Sequence, residues 1–134
     1  MPAPGRYVLE VLGAPPRKNR RHIQAGGRTI NAPEFTALVE AIAAAWGPRP
    51  QLAAGTYRVT IVGRWSRLRT LDDGIRVPYG DVDAPISSVH DALERAGVFD
   101  NDMRIAELHA RREHSPERPG LRIEIERVAE TETP

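Results

Sequence analysis

Apolar residues recur along this chain in two rhythms, and the switches between them set the expected elements. Phe35, Leu38, Val39, Ile42 and Trp46 stand at i, i+3, i+4, i+7 and i+11, one face of an α-helix. Asn31 can cap that helix, Pro33 is tolerated in its first turn, Glu34 can complete a capping box, and Gly47-Pro48 closes it. Ile86, Val89, Leu93 and Ala96 form a second helical stripe over Ala84 to Ala96, with Gly97 placed to end it. The other rhythm has period two. Tyr57, Val59 and Ile61 alternate with Arg58, Thr60 and Val62 in a strand from Tyr57 to Trp65. Leu121, Ile123 and Ile125 alternate with Arg122, Glu124 and Glu126 in a strand from Leu121 to Val128. Tyr7 to Leu12 and Met103 to Arg111 read as two further strands, while Gly13 to Gly27 and Ser66 to Gly80 read as loops. The order is β-α-β-α-β-β. Its long connections permit parallel pairing across the helices, and the last two strands are expected to form a hairpin. The fold class is α/β (α+β): a small mixed β-sheet with two helices, one domain over residues 7–128 and a frayed tail over 129–134.

Composition narrows the chemistry. At 134 residues, with 40% hydrophobic and 28% charged residues, the chain can bury a core without disulfides or a structural metal. It has no cysteine, which excludes disulfides, thiolate zinc sites, iron–sulfur clusters and a cysteine nucleophile. No basic region followed by an apolar run opens it, and the longest apolar stretch, Ala41 to Trp46, is far too short to span a membrane. The expectation is a cytoplasmic protein without a membrane partner. The formal net charge of +1 hides an asymmetry: residues 1–80 carry 12 Lys+Arg against 5 Asp+Glu, and residues 81–134 carry 7 against 13. A basic half suits a polyanion, and an acidic half can supply metal ligands.

The acids that stand out are Asp81 and Asp83, two apart in a segment expected to be extended ahead of Pro85, and Asp102, just past the second helix. Side chains at i and i+2 of an extended segment point the same way. Three hard oxygen ligands converging there would suit Mg²⁺ or Mn²⁺ and could activate water against a phosphodiester. Each acid also has an ordinary reading: Asp83 as a helix cap, Asp81 and Asp102 as turn residues. The cluster Arg17, Lys18, Asn19, Arg20 and Arg21 is the first candidate for phosphate contacts, and Arg64, Arg67 and Arg69 around Trp65 the second. Trp65 reads better as a core-edge residue than as a base-stacking wedge. The four histidines form no ligand constellation, and there is no Ser-His-Asp arrangement, P-loop or dinucleotide fingerprint.

The stretch Asp81-Val82-Asp83, a helix with Asp91-Ala92-Leu93, then Ala96-Gly97-Val98-Phe99-Asp100-Asn101-Asp102, resembles the RusA family of Holliday-junction resolvases. Pro15-Pro16-Arg17-Lys18-Asn19-Arg20 resembles that family's N-terminal element, and Gly27-Arg28-Thr29 also fits. The resemblance implies a homodimeric, Mg²⁺-dependent endonuclease that makes paired, symmetric incisions in four-way DNA junctions during recombination and repair. It also implies that Asp81, Asp83 and Asp102 are the catalytic, metal-binding acids; Asp91, on the polar side of its helix with Ser87 and Glu94, reads as a solvated helix residue. The chain departs from the pattern where Ala84 and Ser87 replace an expected Asn and Lys, and where Asn101 replaces the first acid of an Asp-Asp pair. These departures keep two alternatives open: a branch-binding protein with weak or no cleavage, and a nuclease acting on flaps or forks.

Overall fold

The computed structural model describes residues 5–13, 15, 22–25, 28–31, 33–83 and 85–128. In chain order the elements are β1 (Arg6–Leu12), β2 (His22–Ala25), β3 (Arg28–Asn31), α1 (Pro33–Trp46), β4 (Tyr57–Trp65), β5 (Leu68–Thr70), β6 (Arg76–Pro78), α2 (Ile86–Arg95), a 3-10 turn (Asp102–Arg104), β7 (Ile105–His114) and β8 (Gly120–Arg127). The main sheet has four strands in the order β1-β8-β4-β7, and β2-β3 and β5-β6 are separate two-stranded hairpins. The expected small mixed sheet with two helices is therefore present.

β8 lies antiparallel between β1 and β4, with Leu9 and Ile61 both opposite Ile123. β4 and β7 run parallel, joined through α2, as the long connection between them allows. One sheet face carries Leu9, Val59, Ile61, Leu121, Ile123 and Ile125. It meets Phe35, Leu38, Ile42 and Trp46 of α1, Val89, Ala92 and Leu93 of α2, and Val98 and Phe99 beyond it. Each such fully buried aliphatic side chain contributes about 1.5–3 kcal/mol, so this single layer dominates stability. The outer face holds a chain of ion pairs across all four strands. Arg122 and Arg64 both reach Glu10, at 3.4 and 3.2 Å, and Arg64 and Arg111 both reach Glu113, at 3.4 and 3.3 Å.

Four expectations are corrected. The segment Gly13 to Gly27 contains β2, which pairs antiparallel with β3 from His22↔Asn31 to Ala25↔Arg28. The segment Ser66 to Gly80 contains the β5-β6 hairpin, closed through Gly74 N–H to Leu71 O at 2.9 Å and Leu71 N–H to Ile75 O at 2.8 Å. The last two strands form no hairpin: β7 and β8 flank β4, because the apolar face of β8 is buried best between β1 and β4. Asp83 is not the cap of the second helix. Pro85 occupies that position with no side-chain cap bond, while the Asp83 carbonyl accepts from Ile86 N–H at 3.2 Å. At the other end Gly97, at φ 83°, follows the cap residue Ala96, and Val98 N–H returns to Leu93 O at 3.0 Å, the left-handed stop only glycine enters freely.

Candidate functional site

Some of the candidate side chains stand at the end of the sheet where β4 and β7 finish. Trp65, the last residue of β4, is half buried. Its ring lies so close to two glycines that a Cβ on Gly63 would meet it at 2.5 Å and one on Gly80 at 2.1 Å. Arg112 on β7 donates from Nη1 to the Gly80 carbonyl at 3.3 Å. These contacts fasten the segment that leads into Asp81 and Asp83. Trp65 is thus a packing residue, in agreement with the core-edge reading.

The β5-β6 hairpin projects beside this segment. Tyr79 N–H is bonded to Arg67 O at 3.0 Å, and the guanidinium carbons of Arg67 and Arg69 each lie 5.1 Å from the centre of the exposed Tyr79 ring. Cations at this range are held by the negative face of the ring. Arg67, Arg69 and Arg76 are exposed and have no carboxylate partner among the described residues. Arg64 differs. It is held on the outer face by Glu10 and Glu113 and belongs to the ion-pair lattice rather than to the hairpin. Arg17, Lys18, Asn19, Arg20, Arg21 and Ala84 lie outside the described residues.

Asp81 and Asp83 are exposed, and Val82-Asp83 forms a turn, not the extended run expected. Asp102 opens the 3-10 turn before β7 and is also exposed. Its neighbours are committed elsewhere. Asn101 Oδ1 caps the turn by accepting from Met103 N–H at 2.9 Å. Asp100 forms a two-point pair with Arg104, at 2.9 Å from Nε and 3.2 Å from Nη2, and the Arg104 guanidinium holds the Asp100 carboxyl below its ordinary range. Asp91 is half buried and lines an open groove of about 330 Å³ with Phe35, Glu94 and Arg95.

The topology separates the acids. Gly80 touches Trp65 at the end of β4, whereas the stretch around Asp100 bonds to Leu52 and Gly55, just before β4 begins. The 10 residues of α2 between them span about 15 Å. Within one chain the three carboxylates do not fit a shared cation, and among the described residues no three acidic or histidine side chains are gathered to hold a metal ion.

Sequence reasoning missed Gly63, Tyr79, Gly80 and Arg112. A glycine inside a strand, such as Gly63, signals close approach of another group and could have been flagged. Nothing in the sequence ties Arg112 to Gly80, which are 32 positions apart. No protein-family model matches the chain, and no curated protein is similar to it.

Proposed function

We propose that this protein is an endonuclease for branched DNA, hydrolysing phosphodiesters at four-way junctions. The supporting observation is that Arg67, Arg69 and Arg76, without carboxylate partners among the described residues, stand on the hairpin that runs directly into Asp81 and Asp83. The large outer face, by contrast, pairs its own charges and offers little to a polyanion. Arginines on a short hairpin can grip phosphates bidentately while the adjacent acids face the strand between them. Asp102 enters such a site only from a second copy, because its own chain keeps it at the far end of α2. The acids of two copies would then form the Mg²⁺ or Mn²⁺ site, and the cation would supply Lewis acidity to the scissile phosphate. A two-fold dimer suits paired incisions in a junction of matching symmetry.

Mixing tests this arrangement. Asp81→Asn and Asp102→Asn, each alone, should bind an end-labelled four-way junction and leave it uncut in Mg²⁺. After the two are unfolded and refolded together, mixed dimers carry one intact pair of acids and one doubly altered pair. They should nick one strand of the junction. If each variant alone still cuts, the assignment of the acids fails. If wild type binds but never cuts in Mg²⁺ or Mn²⁺, the protein is a branch-binding module. Cutting by wild type with no rescue in the mixture places all essential acids in one chain.

A further inference from the structure

Every aromatic ring of this chain lies within the described residues, and all but one are buried or half buried. Tyr79 alone is exposed, at 44%. A lone exposed ring is common on protein surfaces, but this one differs in its setting. Its N–H is bonded to Arg67 O at 3.0 Å, which adds a rung to the β5-β6 hairpin. The next residue, Gly80, is held by the Trp65 ring and by Arg112. The backbone of Tyr79 is therefore fixed on both sides while its ring stays open to solvent.

The surroundings of the ring are cationic. Arg69 pairs with Val77 across the hairpin, so Arg67, Arg69 and Tyr79 share one of its faces. Both guanidinium carbons lie 5.1 Å from the ring centre, and neither arginine has a carboxylate partner among the described residues. Asp72 and Asp73 stand at the far tip of the hairpin, where they repel phosphate. A nucleic-acid strand is thus favoured at the base of the hairpin, where Tyr79 stands.

We infer that Tyr79 is a stacking platform for an unpaired nucleobase at a DNA branch, with Arg67 and Arg69 binding the phosphates on either side of that nucleotide. In a duplex each base has its faces covered by its neighbours, and a protein reaches only the edges in the grooves. A base face becomes available where strands part. Arginine attracts phosphate in every form of DNA and cannot tell a branch from a duplex, whereas the ring can. Trp65 cannot take this part, because its indole is packed against Gly63 and Gly80. The inference rests on the reading of this protein as one that acts on branched DNA, and it names the group that selects the branch. Asp81 is two residues beyond the ring, so a base seated there brings its own backbone next to the acidic turn.

Binding measured in EDTA, where no strand is cut, tests the platform on three labelled DNAs: a four-way junction, a single-stranded oligonucleotide and a duplex. Tyr79→Ala should weaken junction and single-strand binding about tenfold, the scale of one lost base–aromatic stack, and leave duplex binding within about twofold. The retained duplex affinity shows that the variant is folded and its arginines in place. Tyr79→Phe, which keeps the ring, should bind all three DNAs as wild type does. A fluorescent purine analogue at the branch should be quenched by wild type and by Tyr79→Phe but not by Tyr79→Ala. If Tyr79→Ala weakens all three DNAs alike, or none of them, or if it still quenches the analogue, the platform is overturned. A loss confined to junction and single strand, with no cutting by wild type in Mg²⁺ or Mn²⁺, upholds the platform and defeats the nuclease reading. Junction cutting that Tyr79→Ala leaves at wild-type rate and affinity does the reverse.

Discussion

Gly80 carries no side chain, and the space it leaves is filled by the indole of Trp65. Gly80→Ala would drive a methyl group into the ring, so either Trp65 or the Asp81 segment must shift. We expect a loss of about 1–3 kcal/mol, the usual range for overpacking, read from the midpoint of urea unfolding. Adding Trp65→Leu should recover part of that loss, since the two side chains compete for one space. An unchanged midpoint for Gly80→Ala would show that the segment yields freely and that Trp65 does not fix it. Asp100 gives a pH prediction. Arg104 lowers its carboxyl pKa in the folded protein, so the pair stabilises fully above the ordinary carboxylate range. That contribution is lost as pH falls through the lowered folded value. The stability difference between wild type and Asp100→Asn should therefore be constant near neutral pH and vanish only in strong acid, below about pH 4. No stability difference between the two at neutral pH would mean that the pair does not form in solution. Such residue-level ties were largely illegible beforehand. The alternation of β4 shows where Trp65 ends a strand, but not which glycine its ring will meet.

Among the elements, the β5-β6 hairpin joins the fold to the proposed function. Replacing Arg67, Arg69 and Arg76 together with Ala should weaken junction binding and flatten its dependence on salt. Each phosphate no longer neutralised by an arginine reduces the slope of log affinity against log salt by about 0.9. Arg64→Ala should leave that slope unchanged and instead lower stability by about 1 kcal/mol or less, because its partners are Glu10 and Glu113. If Arg64→Ala flattens the slope as much as the triple variant, the division between lattice and hairpin is wrong. Ser87, exposed in the first turn of α2, offers a gain of function. Ser87→Lys would place a cation beside the acidic turn, and we expect single-turnover cleavage to rise roughly tenfold or more. The elements differed in how plainly they could be read. α1 and β4 announce themselves because each repeats its period several times over 14 and 9 residues. β5 and β6 have three residues each, too few for a period to register, so Gly74 and Pro78 made the segment look like a loop. The acids were legible as a spacing but not as a place. A helix between two carboxylates carries the second away from the first, and only the course of the chain shows how far.

For the molecule as a whole, the sheet order decides how stability is shared. β8 supplies Leu121, Ile123 and Ile125 to the core and pairs on both sides, so the sheet cannot be completed without it. Ending the chain at Pro119 should abolish cooperative thermal unfolding. A folded chain lacking β8 would show that β1 finds another partner. This arrangement has a consequence for synthesis. A ribosome makes β1 first and β8 last among these strands, at about 5–20 residues per second. For most of that time β1 and β4 have no strand between them, and their apolar faces wait for a segment still inside the exit tunnel. The nascent protein therefore depends on chaperones or speed more than its modest size suggests. Slowing translation just before residue 120 should raise the aggregated fraction, while the same pause near residue 40, before β4 is made, should not.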